Sequence, residues 1–457
     1  MKKYRALSTF LLLATLASLL PLPAAALDQP VLYCNNAVLL DANYSEVLYD
    51  HHAYDKAWPA STTKVMTALL VMEALENGQL SPTTPLTAGP TRMQDIPAGK
   101  GYAVADLREG EVLTVEELLY CLLLPSHADA ANVLAVAVDG SIEDFVEHMN
   151  RRAGELGCKG THFTNTAGMH NENHYSTAYD LALIFQAALE HDLFRDIIGT
   201  AVHTVPATNL SGERTFYNSN GLISTWNYSG YVYDKCIGGK TGTTDEAGRC
   251  LVAAAEDDDT LLISVVLGSG PMDVPGEADK KQGQFRESKR LLEWGFANFH
   301  RVTITRDSEP VAKVAVTMSR QTDEVNLKPQ GSITRTLPRD LDLDDIQTEI
   351  TLYAQEVEAP VKEGEVMGAM KLSYEGTVYG VLDLVAVTSV ERSELLYKKQ
   401  QFLNFIHSSG VQLLAASALL LVGLVLLRMA LSQRARGRRR TGAGSSRSRG
   451  NYRGPRR

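Results

Sequence analysis

Two apolar triplets, Val38-Leu39-Leu40 and Val47-Leu48-Tyr49, flank the turn-forming stretch Asp41-Ala42-Asn43-Tyr44. That spacing predicts a β-hairpin. Pro59 then precedes a run in which Val65, Met66, Ala68, Leu69, Val71 and Met72 leave little polar face, so a buried helix is expected from about Ser61. Helical periods continue over 115–124, 128–138, 142–156 and 178–189. After Tyr231 the pattern shortens to strands at 236–241, 249–255 and 261–268, separated by polar turns, and a helix over 286–299 closes the region. Helices gathered around an antiparallel sheet make residues 27–300 an α+β domain.

From 301 to 390 the runs become short and β-rich, at 311–316, 348–353 and 378–387, broken by Pro, Gly and Asp. A small all-β domain is expected there, followed by a connecting helix over 391–410. Val411 to Leu427 carries no charge and extends past Arg428 to Leu431, about the length that crosses a bilayer, so 411–431 is expected to be a transmembrane helix. Residues 432–457 form a basic tail rich in Arg, Gly and Ser, a composition that builds no core. At the other end Lys2, Lys3 and Arg5, an apolar stretch and Ala24-Ala25-Ala26 read as a signal peptide over 1–26. Positive residues stay on the cytoplasmic side of a span, which places the tail inside, residues 27–410 outside, and the chain at the cell membrane. Anionic lipid is the expected partner of the tail.

Composition, with 44% hydrophobic and 21% charged residues, allows a sizeable core. The formal charge of −10 becomes −24 for the outer part once the eleven arginines from Arg428 onward and the three leading basic residues are set aside. So acidic a surface argues against nucleic acid as a partner. Five cysteines cannot all pair; Cys236 and Cys250 flank an expected hairpin and are the pair most able to face each other. His170 and His174, four apart in a loop, have no third ligand in sight, and no metal or cofactor is expected.

Ser61-Thr62-Thr63-Lys64 at a helix start sets Ser61 and Lys64 on one face. A serine hydroxyl attacks only when a base takes its proton, and a desolvated lysine can be that base. Alone, this pattern is more often an N-cap serine beside a surface lysine. Lys240-Thr241-Gly242 at a strand end adds a cation for a carboxylate and a bare backbone edge for an extended substrate. Ser126, in Leu122-Leu123-Leu124-Pro125-Ser126-His127-Ala128-Asp129-Ala130-Ala131 between two helices, can reach the same cleft.

With these boxes, and with 156–169 and 174–180 between the second and third, the chain resembles the D-alanyl-D-alanine carboxypeptidases, the low-molecular-weight penicillin-binding proteins of serine peptidase family S11. The resemblance implies a serine β-lactamase/penicillin-binding-protein-like fold and removal of the terminal D-alanine from peptidoglycan stem peptides ending in D-Ala-D-Ala. It further implies Ser61, Lys64 and Ser126 as catalytic residues, Lys240, Thr241, Gly242 and Thr243 as substrate-binding, an oxyanion held by the N–H groups of Ser61 and Thr243, and β-lactams as inhibitors. One position departs: Ala128 stands where the family carries Asn, with Asn132 and His127 the candidates to replace that amide. The departure keeps open a penicillin-binding wall protein or sensor with little turnover. A class A-like β-lactamase is the enzyme alternative, opposed by the second domain, the anchor and the lack of a Glu-x-x-x-Asn loop.

Overall fold

A computed structural model of the chain describes residues 29–272 and 281–441. The expected signal peptide and the end of the basic tail lie outside the described residues. Two compact units emerge: one runs to Thr303 and takes back Thr334–Leu343, and the other comprises Ile304–Ile333 and the chain from Asp344 onward.

In the first unit β1 (Asn36–Asp41) and β2 (Glu46–His51) form the expected hairpin, with a register shift between Leu39 and Leu40. Far along the chain follow β3 (Cys236–Thr244), β4 (Gly248–Asp257) and β5 (Thr260–Ser269). The antiparallel order is β2-β1-β5-β4-β3, so the first strand of the sheet in chain order pairs with its last. β1 is buried at all six positions, which explains why it shows an unbroken apolar run rather than alternation.

The helix expected from Ser61 opens instead as a 3-10 turn over Ala60–Thr63, and α1 occupies Lys64–Glu76. Thr62 donates both its backbone N–H and its Oγ1 to the Pro59 carbonyl, which tightens this turn. α2 (Val115–Leu123) begins at a capping box, in which Thr114 and Glu117 satisfy each other's backbone N–H groups. α3 (Ala128–Asp139), α4 (Ile142–Glu155) and α5 (Ala178–Leu189) fall where the periodicity places them. α6 (Asp192–Gly199) was not anticipated, although Phe194, Ile197 and Ile198 supply a short helical stripe. Nor was the hairpin of Val202–Val205 with Arg214–Tyr217 anticipated, where little apolar alternation exists. α7 (Gly283–Asn298) starts three residues earlier than expected. One apolar core joins α1 to α5 with one face of the sheet, and a second cluster packs α7 against β1 and β5.

Cys236 and Cys250, the pair most able to face each other by sequence, do not do so. Across the β3–β4 ladder Cys236 faces Ala255 while Cys250 faces Gly242, near opposite ends, and both thiols are free. Burial pushes each up to about 12, leaving them inert apolar fillers.

The second unit holds a six-stranded sheet made of β6 (Ala312–Thr317), β7 (Glu324–Pro329), β8 (Gln347–Leu352), β9 (Glu356–Glu358), β10 (Val366–Tyr374) and β11 (Thr377–Ala386). Its order is β8-β10-β11-β7-β6-β9, and only β6 with β9 is parallel. After it come α8 (Glu394–Ile406) and α9 (Ser409–Thr441). Within α9, Ser409–Arg434 contains an 18-residue window of mean hydropathy 2.4 with no part of it buried, and is long and apolar enough to cross a membrane.

Candidate active site

Ser61 sits on the 3-10 turn before α1, just after Ala60, whose φ of +46° is left-handed. Two glycines make room for that turn. A Cβ on Gly168 (φ +81°) would lie 1.8 Å from the Ala60 carbonyl oxygen, and one on Gly242 would lie 2.9 Å from the Ser61 nitrogen. The turn that carries Ser61 is therefore clamped between the 165–169 loop and β3. Asn165 shapes that loop: its Oδ1 accepts from the backbone N–H groups of Ala167, Gly168 and Met169. The loop then turns the Ala167 carbonyl toward Lys64, whose Nζ donates to it at 2.8 Å.

The same Nζ lies 2.9 Å from Ser61 Oγ. Lys64 is buried, and desolvation lowers its pKa to about 7, a fall that the negative charge of Asp129 opposes. An amine near its midpoint at neutral pH can hold the serine proton. Asp129 is itself held by the N–H groups of Ala105, Leu107 and Ala130, and burial moves its pKa upward.

A cavity of about 230 Å³ opens onto Ser61. Ser126, Thr241, Gly242 and Thr243 line it, so residues far apart in sequence share one cleft. Ser126 has a left-handed φ of +71°, a costly conformation for a residue with a side chain, and its buried Oγ has no hydrogen-bond partner. Thr241 Oγ1 lies 2.6 Å from Ser219 Oγ, and Thr243 Oγ1 donates to the Gly242 carbonyl. Lys240 is placed differently from the rest of its box. Its side chain is fully buried, does not line the cavity, and donates Nζ to the Thr241 carbonyl; desolvation, and then the charge of Lys64, lower its pKa. Gly238 and Gly239 likewise serve packing, since a Cβ on either would strike Ile198 or the Val252 carbonyl.

Ala128 is wholly buried within the apolar core. Neither candidate for the missing amide takes up its place in the cleft. Asn132 donates to the carbonyls of Arg92 and Gln94 and accepts from Thr166 Oγ1, which exhausts it on the scaffold. His127 stacks its edge on Phe216 outside the cavity lining, and burial, with Lys64, Arg214 and Lys240 nearby, lowers its pKa to about 3. His174 is also structural: its Nδ1 accepts from the Thr164 N–H, so its Nε2 carries the proton donated to Thr63 Oγ1. Asp180 accepts from the Gly160 N–H and Thr161 Oγ1, bracing the loop before α5.

Residues 24–270 match the family model described as D-alanyl-D-alanine carboxypeptidase. The chain belongs to that family. Residues 299–392 match the C-terminal domain of penicillin-binding protein 5, so both regions have counterparts in this family. The D-alanyl-D-alanine carboxypeptidase DacF of Bacillus subtilis is 30% identical over 78% of this chain and 86% of its own length. DacA of Escherichia coli K12 is 30% identical over 81% of this chain and 86% of its own. Penicillin-binding protein 5 of Haemophilus influenzae superposes with a TM-score of 0.62 at 27% identity, covering 80% of this chain and 99% of that one.

The sequence did not single out several parts of this family's site as the chain builds it. Ala167 acts through a backbone carbonyl, which leaves no residue-type signal. Ser219, Asn227, Tyr228 and Gln284 are common residue types without a motif, and only the fold brings them to the cleft, while Asn165 lies in the 156–169 stretch that carries the resemblance but with no role assigned to it there.

Proposed function

We propose that this chain is a penicillin-binding serine D-Ala-D-Ala carboxypeptidase that removes the terminal D-alanine from peptidoglycan stem peptides through an acyl-enzyme on Ser61. The observation that carries the reading is the desolvated Lys64 amine 2.9 Å from Ser61 Oγ at the cleft that Ser126 and the 241–243 strand edge also line. Lys64 takes the hydroxyl proton as Ser61 Oγ bonds to the carbonyl carbon between the two D-alanines. The N–H groups of Ser61 and Thr243 hold the oxyanion. The C–N bond then breaks, and the proton reaches the departing amine by way of Ser126, whose free Oγ can relay it. Water attacks the ester as Lys64 accepts its proton, the bond between the carbonyl carbon and Ser61 Oγ breaks, and Lys64 returns the proton to that oxygen. Thr241 and Thr243 meet the substrate edge, while the Lys240 amine, donated to the Thr241 carbonyl, is held largely neutral by burial and by the charge of Lys64. A β-lactam presents its ring carbonyl to the same serine and stays as a stable ester.

The apolar helix is read as a single span with the basic tail on the cytoplasmic side against anionic lipid and the catalytic unit outside. Fluorescent penicillin and a D-Ala-D-Ala pentapeptide test the function together. The intact protein is expected to take the label and release D-alanine, and Ser61→Ala to lose both. A label that survives Ser61→Ala defeats the assignment of the nucleophile; labelling without any release of D-alanine favours the sensor reading that Ala128 keeps open.

A further inference from the structure

Besides the β3 edge, residues 101–103 and 125–126 line the cleft and form a second wall. The start of α3 ties this wall together. The Ala128 N–H donates to the Ala103 carbonyl at 2.8 Å, and the buried Asp129 carboxylate accepts from the Ala105 and Leu107 N–H groups at 2.8 and 3.0 Å. Gly101, Ala103 and Pro125 have no hydrogen-bonding side chain, and Ala128 behind them is a methyl group in the apolar core. Ser126 and Tyr102 are left, and Ser126 relays the proton to the leaving amine. The Tyr102 ring packs against the core, and among the described residues its hydroxyl has no partner.

The other polar side chains of the lining belong to different segments. Ser219 lies 2.6 Å from Thr241 Oγ1, and Asn227 and Tyr228 go with Gln284 and Phe285, since the Tyr228 and Phe285 rings are 5.3 Å apart. Strand geometry says what the second wall must meet. β3 ends its sheet, so an extended substrate can pair along its free edge. Two residues of a hydrogen-bonded antiparallel pair exchange both N–H and C=O bonds. When the Thr243 N–H holds the oxygen of the scissile carbonyl, the N–H of that same substrate residue therefore meets the Thr243 carbonyl. The peptide group containing that N–H is trans, so its own carbonyl points away from β3, toward the second wall.

We propose that Tyr102 is a substrate-binding residue whose hydroxyl donates to the carbonyl of the peptide bond preceding the penultimate D-alanine. This role rests on the carboxypeptidase reading above. A phenol O–H is a neutral donor, and a ring already packed against the core loses little freedom when it binds. The loop that carries it is pinned by Ala128 N–H and Asp129, so the donor is held in place before substrate arrives. Ala128 thus contributes through its backbone to a wall on which its own side chain can bind nothing.

The test uses the full-length protein in detergent, a D-Ala-D-Ala pentapeptide and two acylating probes. Benzylpenicillin carries a side-chain amide whose carbonyl corresponds to the one assigned to Tyr102; the bare penicillin nucleus ends there in an amine and lacks it. Tyr102→Phe removes only the hydroxyl. It is expected to lower kcat/KM for the peptide and the acylation rate with benzylpenicillin by about tenfold each, the effect of one hydrogen bond, while acylation by the bare nucleus and Tm persist. The ratio of the two acylation rates decides, because a merely structural role would slow both probes alike. A ratio that Tyr102→Phe leaves unchanged overturns this role, and a wild type that labels and hydrolyses peptide keeps the carboxypeptidase reading standing. A wild type that neither labels nor hydrolyses overturns both. Should the Phe variant fail to fold, the same ratio in Tyr102→Met decides.

Discussion

At the residue scale the chemistry turns on the cost of burying one amine. The amine of Lys64 is ionised below about pH 7 in the folded chain and below about 10.5 when unfolded. The protonated form cannot accept the Ser61 proton, so the rate of penicillin acylation should fall about tenfold per pH unit below 7 and level off above it. Rapid-quench labelling across pH 5 to 9 measures this; a flat profile would separate Lys64 from the proton transfer. The sign for stability follows from the same shift. Between pH 7 and 10.5 the unfolded chain binds the extra proton, so this group adds stability as pH rises through that window. Lys64→Met should cut acylation by about 10²–10⁴-fold, the usual range for a lost general base, without lowering Tm, because it removes a buried amine of similar length. Gly168 is the opposite case, a residue without chemistry on which the site depends. Gly168→Ala places a Cβ against the Ala60 carbonyl at a left-handed φ and should destabilise the protein by about 2–4 kcal/mol, read from its denaturation midpoint.

At the element scale, side chains brace the site by joining elements that the sequence keeps apart. Asn132 on α3 receives a hydroxyl from Thr166 and gives its amide to the 90–94 turn. Asn132→Leu leaves those buried groups unpaired and should lower stability by about 2–4 kcal/mol in chemical denaturation, with acylation slowed because the loop carrying Ala167 is freed. Amphipathic or wholly apolar elements were legible in the sequence: β1, α1 to α5, and β3 to β5 emerged close to their expected bounds. The 3-10 start at Ala60, the α6 segment and the early start of α7 were not. Their form is set by contacts with Gly168, with the sheet and with Tyr33, not by any local period.

At the scale of the whole molecule, the apolar helix divides the charge: an acidic part precedes it and an arginine-rich end follows. Protease added outside intact cells is expected to digest the catalytic unit and spare a C-terminal tag, whereas a tag removed from outside would reverse the proposed orientation. The order of parts, the α+β class of the first unit and the boxes around Ser61, Ser126 and Lys240 were determined by the sequence, since periodicity and short motifs are local properties. Which way each side chain faces was decided by the tertiary structure. Nothing in Lys240-Thr241-Gly242 says that the lysine turns inward while Thr241 and Gly242 line the cleft, nor that Cys236 and Cys250 stand near opposite ends of their ladder. Those outcomes depend on strand register, on the close approach of backbone at Gly168 and Gly242, and on burial, which lowers the Lys64 pKa. Each is a property of neighbours distant along the chain, and so becomes definite only when the core closes around them.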